Sequence, residues 1–242
     1  AAPRETVGGL YAARLGGACC TLASAAPAAI ARGTLTPQLL LAEVSKAAPE
    51  SVILVPELLR ILVGGAAAGW QPPAGAKFFA VGGARVSPDL LARADAASLP
   101  VYEGYGLSEC ASVVCLNTPG ARRAGTVGRP LPHARLRVDA HGEIHVAGAT
   151  MAGYVGGAPL PTGAWILTGD LGQVDAGGFV HVQGRAKNLF INSYGRNLSP
   201  EWIESEVGQE PAIGQVVVFG EARPDVAALV TPAGPGVPAA AV

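Results

Sequence analysis

The chain has 242 residues, half of them apolar and 14% charged, with a net charge of -1. That length accommodates one large or two smaller domains around a sizeable core. The composition excludes a disordered chain, and nothing in it advertises a nucleic-acid or anionic-membrane partner, which would select clustered positive charge.

Along residues 1–117, helical and strand patterns alternate. "RETVGGLYAARLGG" reads as a helix ending at Gly16-Gly17, and "ACCTLA" as a strand. "TPQLLLAEVSKAAP" opens with Thr36 as N-cap and Pro37 at the first helical position, and its leucines and Val44 share one face. "SVILVP" is a continuous apolar run, as expected of a strand covered on both faces. "PELLRILVGGAA" is helical, "KFFAVGGA" is a strand ending in glycines, and "SPDLLARADAA" is a helix capped by Ser87. "LPVYEGYG" is a further strand. This alternation predicts an α/β subdomain with a parallel sheet and crossover helices over residues 1–117.

After Asn117 the texture changes. The short runs "ARLRVD", "GEIHVAG", "AWILTGDLGQVD" and "GGFVHVQG" are separated by turn signals, predicting a β-rich, barrel-like subdomain over 118–183. From Gly184 the order is strand "NLFIN", turn "SYGRN", helix "SPEWIESEV" and strand "QVVVFG", with "DVAALVTPAG" as another candidate strand. Residues 184–242 are therefore expected to form a small α+β domain that is cut short.

Cys19, Cys20, Cys110 and Cys115 show neither metal-ligand spacing nor a disulfide framework. Reduced thiols and a cytoplasmic location are expected, with Cys19 and Cys20 buried in their apolar run. No signal peptide or membrane-spanning segment is visible. Met151 is the only methionine, so Ala1 is not expected to be a translational start. A processed, truncated or incompletely recorded N-terminus is the expectation.

In parallel sheets, ligands bind at the carboxyl ends of strands. "VGGA" (Val81 to Ala84) and "EGYGLSE" (Glu103 to Glu109) both fall at such ends. Gly83, Ala84 and Gly106 leave room for a flat ring against Tyr105, while Ser108 offers a hydroxyl and Glu109 a hard oxygen ligand for magnesium. Each motif alone is equally an ordinary turn. Asp170 in "TGDLG" is by itself more simply a turn residue, and Arg185 and Lys187, taken alone, read equally as solvated surface charge. Gly195 reads as a turn glycine. His133, His141, His145 and His181 lack partner spacing for a metal or a Ser/His/Asp set, and read as surface or strand histidines. Trp202, Ile203 and Val207 read as a helix face buried in the small domain.

The ordered series "GGARVSPDLL", "EGYGLSE", "GEIHVAGATMAGY", "TGDLG" and "GRAKNLFINSYGRNLSPEWIE" resembles the adenylate-forming enzymes, which include acyl-CoA synthetases, luciferases and peptide-synthetase adenylation domains. The "FINSYGRNLSP" spacing is most similar to the long-chain fatty acyl-CoA synthetase branch. The resemblance implies a ligase that joins ATP and a carboxylic acid, expected to be a fatty acid, into an acyl-adenylate. A thiol, of coenzyme A or a carrier protein, would then take the acyl group as a thioester. It places adenine between Tyr105 and the Gly83-Ala84 backbone, with Glu103 near the adenine amino group. Ser108 would meet the α-phosphate, Glu109 would hold Mg2+, Asp170 and Arg185 would serve the ribose, and Lys187 would be the hinge of the C-terminal domain.

The family also uses a Gly/Ser/Thr-rich phosphate loop with a lysine, and a second lysine late in the small domain. Lys46, Lys77 and Lys187 are the lysines here, and none lies in either context. The chain alone is therefore expected to be inactive, and a noncatalytic nucleotide-binding remnant acting as a partner or regulatory subunit is the competing reading. An NAD-binding domain is disfavoured, since "VGGA" is not G-x-G-x-x-G and no acidic residue follows at the required distance.

Overall fold

Proline at the first helical position, where its missing N–H costs nothing, opens four helices of the computed structural model, which describes residues 15–21 and 25–234. They are α2 (Pro37–Ala47), α3 (Pro56–Ala67), α4 (Pro88–Ala96) and α5 (Pro200–Val207). A shorter helix, α1 (Ala25–Ala31), precedes them and was not among the expected elements. The hydroxyls of Thr36 and Ser87 accept from the N–H groups of Leu39 and Leu90, as their cap positions predict.

The first sheet has the order β1-β2-β3-β4-β5. β1 (Ser51–Leu54), β2 (Phe78–Val81) and β3 (Val101–Tyr105) run parallel, whereas β4 (Cys115–Leu116) and β5 (Arg129–Pro130) add antiparallel to β3. The parallel part with its crossover helices matches the α/β expectation. α2, α3 and α4 pack on this sheet around a core that includes Leu59, Leu62, Phe79, Leu90 and Val101. β1 is less enclosed than its apolar sequence suggests. It lies at one end of the strand order, and of its residues only Leu54 is buried.

β6 (Ala134–Val138), β7 (Glu143–Gly148), β8 (Ile166–Val174) and β9 (Val180–Arg185) form a four-stranded antiparallel sheet in chain order. Its inner face carries Ile144, Val146, Ile166 and Val180, which pack with Cys110, Val114, Cys115 and Val127 into a second core. Tyr105 and Leu107 lean on that core from the end of β3 and join the two sheets.

Beyond β9, β10 (Phe190–Ile191) pairs with β11 (Asn197–Leu198) around the turn glycine Gly195, whose φ is 76°. β12 (Ile213–Phe219) pairs with β13 (Ala227–Pro232), and α5 packs on β12.

Three expectations are corrected. No strand forms at residues 18–21, and Cys19 and Cys20 are exposed. Trp202 is half exposed, and Ile203 and Val207 are only half-buried, so the expected apolar face is covered in part. The helix expected before Gly16 lies outside the described residues except for its last position. No helix among the described residues is long and apolar enough to cross a membrane.

Candidate functional site

A bulge in β8 decides where the central carboxylate points. Opposite β8, the register shifts between Glu143 and His145, and Gly169 adopts a φ of 72° that a side-chain-bearing residue rarely takes. The N–H of Gly169 donates to Oε1 of Glu143 at 3.1 Å. Oγ1 of Thr168 donates to the Ile144 carbonyl at 2.7 Å and accepts from the N–H of Asp170 at 3.0 Å. These bonds turn Asp170 toward the end of β3.

There its two oxygens are claimed separately. Tyr105 Oη donates to Oδ2 at 2.5 Å, and Nε of Arg185, the register partner of Asp170 on β9, lies 2.8 Å from Oδ1. Asp170 is 5% exposed, so this pairing is what makes a charge tolerable at that depth. Burial and the bond to Asp170 push the Tyr105 phenol well above its ordinary range. Each carboxylate oxygen has a second lone pair, so Asp170 retains acceptor capacity for a ligand's hydroxyls.

Gly83, Ala84, Glu103, Tyr105, Gly106, Asp170 and Arg185 share one cleft of about 830 Å³. Its other walls come from α3, through Arg60, and from Glu201, Glu204 and Val216 of the C-terminal segment. Gly83, with a φ of 90°, turns the chain away from the end of β2. Gly106 answers to a local demand as well, because a Cβ there would lie 1.6 Å from the Ser112 carbonyl oxygen. Glu103 is half-buried; desolvation lifts its carboxyl to about 7, although the charge of Arg85 and a bond from the Val86 backbone pull the other way.

Three of the expected site residues do not line this cleft. Ser108 and Glu109 occupy a 3-10 turn after β3, with Ser108 exposed and Glu109 half-buried. Glu109 Oε1 accepts from the Tyr154 hydroxyl at 3.2 Å. Lys187 is exposed in a second 3-10 turn, Ala186–Asn188, between β9 and β10.

Sequence reasoning missed Arg85. It follows Gly83-Ala84, its guanidinium donates to the Val182 carbonyl at 3.1 Å, and it lines both the main cleft and a smaller one of about 360 Å³ beside Trp202 and Ile203. Its place directly after the glycine turn was the available signal. His145 lies on β7, in keeping with its reading as a strand histidine, and the fold brings it near Asp139 and Glu143.

Residues 7–155 match the AMP-binding enzyme family and residues 187–239 its C-terminal domain. A long-chain-fatty-acid–CoA ligase of Mycobacterium bovis is 39% identical over 140 residues, covering 56% of this chain and 23% of that protein. A 2-succinylbenzoate–CoA ligase of Bacillus mycoides is 31% identical, covering 62% of this chain and 34% of its own length. The chain thus spans well under half of these relatives. The AMP complex of an O-succinylbenzoate coenzyme A synthetase from Bacillus subtilis shares the fold with a TM-score of 0.74 at 22% identity, covering 96% of this chain and 50% of that one. The same synthetase with ATP and magnesium superposes with a TM-score of 0.66 at 25% identity, covering 80% and 43%. With a family match across more than half its length, this chain belongs to the AMP-binding, adenylate-forming enzymes.

Proposed function

We propose that this chain supplies the adenosine-binding part of an acyl-activating ligase. ATP and an apolar carboxylic acid would give an acyl-adenylate and pyrophosphate, and a thiol, that of coenzyme A, would then displace AMP to leave a thioester. The observation that carries this reading is the carboxylate of Asp170, fixed between Tyr105 and Arg185 at the wall of a cleft that also holds Gly83 and Ala84.

Asp170 is an acceptor-only group and suits paired ribose hydroxyls. Tyr105 offers an aromatic face held in place by its own hydroxyl, and the low profile of Gly83-Ala84 leaves the opposite side open for a purine. Glu103 stands at the same strand end as a partner for the purine amino group. Ser108 would meet the α-phosphate. Glu109, a hard oxygen donor already oriented by Tyr154, fits a magnesium ion, which when bound neutralises phosphate charge. Lys187, in the turn that leads out of β9, is the proposed pivot for the C-terminal segment. The named relatives act on a long-chain fatty acid and on 2-succinylbenzoate, and the fatty acid is the proposed substrate class because the 39% relative is of that kind.

Calorimetry with AMP tests the adenosine site directly. Saturable binding that Asp170→Asn weakens supports it, and absence of adenine-nucleotide binding by the folded chain refutes it. Pyrophosphate release dependent on a fatty acid, in a protein spanning the relatives' length, tests the chemistry. Release with no member of a broad acid panel would reject the ligase reading.

A further inference from the structure

We propose that Asp139, Glu143 and His145 form a binding site for one divalent d-block cation, zinc by ligand type, at the turn that joins β6 to β7. The three residues each present a ligand atom, and these atoms lie within 4.8 Å of one another.

His145 is the most telling of the three. It is 8% exposed, yet neither ring nitrogen makes an aligned hydrogen bond, and its ion-pair contact is with Asp139. Buried polar groups in folded proteins nearly always find a partner, because an unmet one has lost its water for nothing. Nε2 sits 3.3 Å from Oδ2 of Asp139 without hydrogen-bond alignment. Two donors on one tetrahedral zinc ion, each at about 2.0–2.1 Å, are separated by about 3.3–3.4 Å. The observed spacing is compatible with two ligands sharing an ion.

The carboxylates are pre-aimed. Oδ1 of Asp139 accepts from the N–H groups of His141 at 2.8 Å and Glu143 at 2.9 Å, which fixes the carboxylate plane and leaves Oδ2 toward the imidazole. Glu143 is held through Oε1 by the N–H of Gly169, with Oε2 as its other oxygen. Asp139 and Glu143 are both only half-buried, so an ion has a route in and water can complete the coordination. One imidazole with two carboxylates favours zinc over magnesium or calcium, which prefer all-oxygen shells. The site is therefore chemically distinct from the nucleotide's magnesium. The chain contains its own control in His181, whose Nε2 also lies 3.3 Å from a carboxylate, that of Asp175, but which is half-buried and has no third ligand gathered round it among the described residues.

The test uses the whole chain stripped of metal by chelation. Zinc titrated by calorimetry should bind with one-site stoichiometry and raise the unfolding temperature, and cobalt should give the intense visible bands of a tetrahedral site. His145→Gln and Asp139→Asn should each weaken zinc at least about tenfold, and His181→Gln should leave it unchanged. Equal binding by His145→Gln, or equal loss in His181→Gln, would overturn the proposal. Should neither site variant fold, the cobalt spectrum of the unaltered chain decides: no tetrahedral bands means no site.

Discussion

The hydroxyl of Tyr105 donates to the carboxylate of Asp170 at 2.5 Å across 65 positions of sequence, and so ties the end of the parallel strands to the four-stranded sheet. Tyr105→Phe keeps the ring and removes this bond. The expected cost is about 1.5–3 kcal/mol of stability, the range for a hydrogen bond to a charged group, read from urea unfolding. AMP affinity should fall less than in Asp170→Asn, which weakens the pairing with Arg185 and removes the charged acceptor from the proposed ribose site. A Tyr105→Phe chain as stable as the parent would show that the bond contributes nothing net.

Arg185→Lys tests geometry rather than charge. Its Nε, not a terminal nitrogen, meets Oδ1 of Asp170. A lysine ammonium retains the positive charge but not that planar donor. AMP binding should weaken about tenfold, roughly the effect of losing 1.4 kcal/mol, by calorimetry. Full affinity in the lysine variant would mean that charge alone suffices.

Glu103 predicts a pH dependence. Its carboxyl rises from 4.5 to about 7 on folding, chiefly by desolvation. Between those values the folded chain holds more protons than the unfolded one, so stability falls as pH rises. The contribution is fully present below about 4.5, is lost as pH climbs to about 7, and amounts to on the order of 3 kcal/mol. Glu103→Gln should flatten this part of the profile in denaturant melts taken at several pH values. An unchanged slope would exclude Glu103 as its source.

Two helix caps should differ in worth. The bond from the Leu90 N–H to Ser87 is buried at 3.1 Å, and that from Leu39 to Thr36 is exposed at 3.2 Å. Ser87→Ala should cost about 1–2 kcal/mol and Thr36→Ala about 0.5–1, because water replaces only the exposed acceptor. Equal losses in thermal melts would contradict this ranking.

Gly128→Ala should be far more disruptive than either cap change. Its φ is 84°, and a Cβ would lie 2.0 Å from the Leu116 backbone carbon, a clash no rotamer relieves. Gly125, with a φ of 74° and open space around it, carries only the conformational strain. The Gly125→Ala chain should therefore unfold at clearly higher temperature than Gly128→Ala.

What the sequence reveals follows the range of the forces involved. Caps at Thr36 and Ser87 depend on residues three positions apart, so those helix starts are readable locally. The parallel order of β1, β2 and β3 follows from alternation and chirality. The convergence of Tyr105, Asp170 and Arg185 needed the resemblance, because no local pattern says that residue 105 meets residue 170. The strand assigned to "ACCTLA" failed because an apolar run becomes a strand only where a neighbour pairs with it. Trp202 misled similarly, since helical spacing marks a face without naming what covers it. The proximity of Asp139, Glu143 and His145 was legible only once the hairpin register was known.

The distribution of sulfur gives the chain an internal gauge of its own opening. Cys19 and Cys20 stand in solvent, whereas Cys110 and Cys115 lie in the second core with thiols pushed by burial to about 11 and about 12. A maleimide pulse at neutral pH will tag the first pair at once and reach the second only through breathing of the layer beneath Tyr105. The lag between the two labelling steps, timed with and without AMP, reports whether a nucleotide clamps that layer shut.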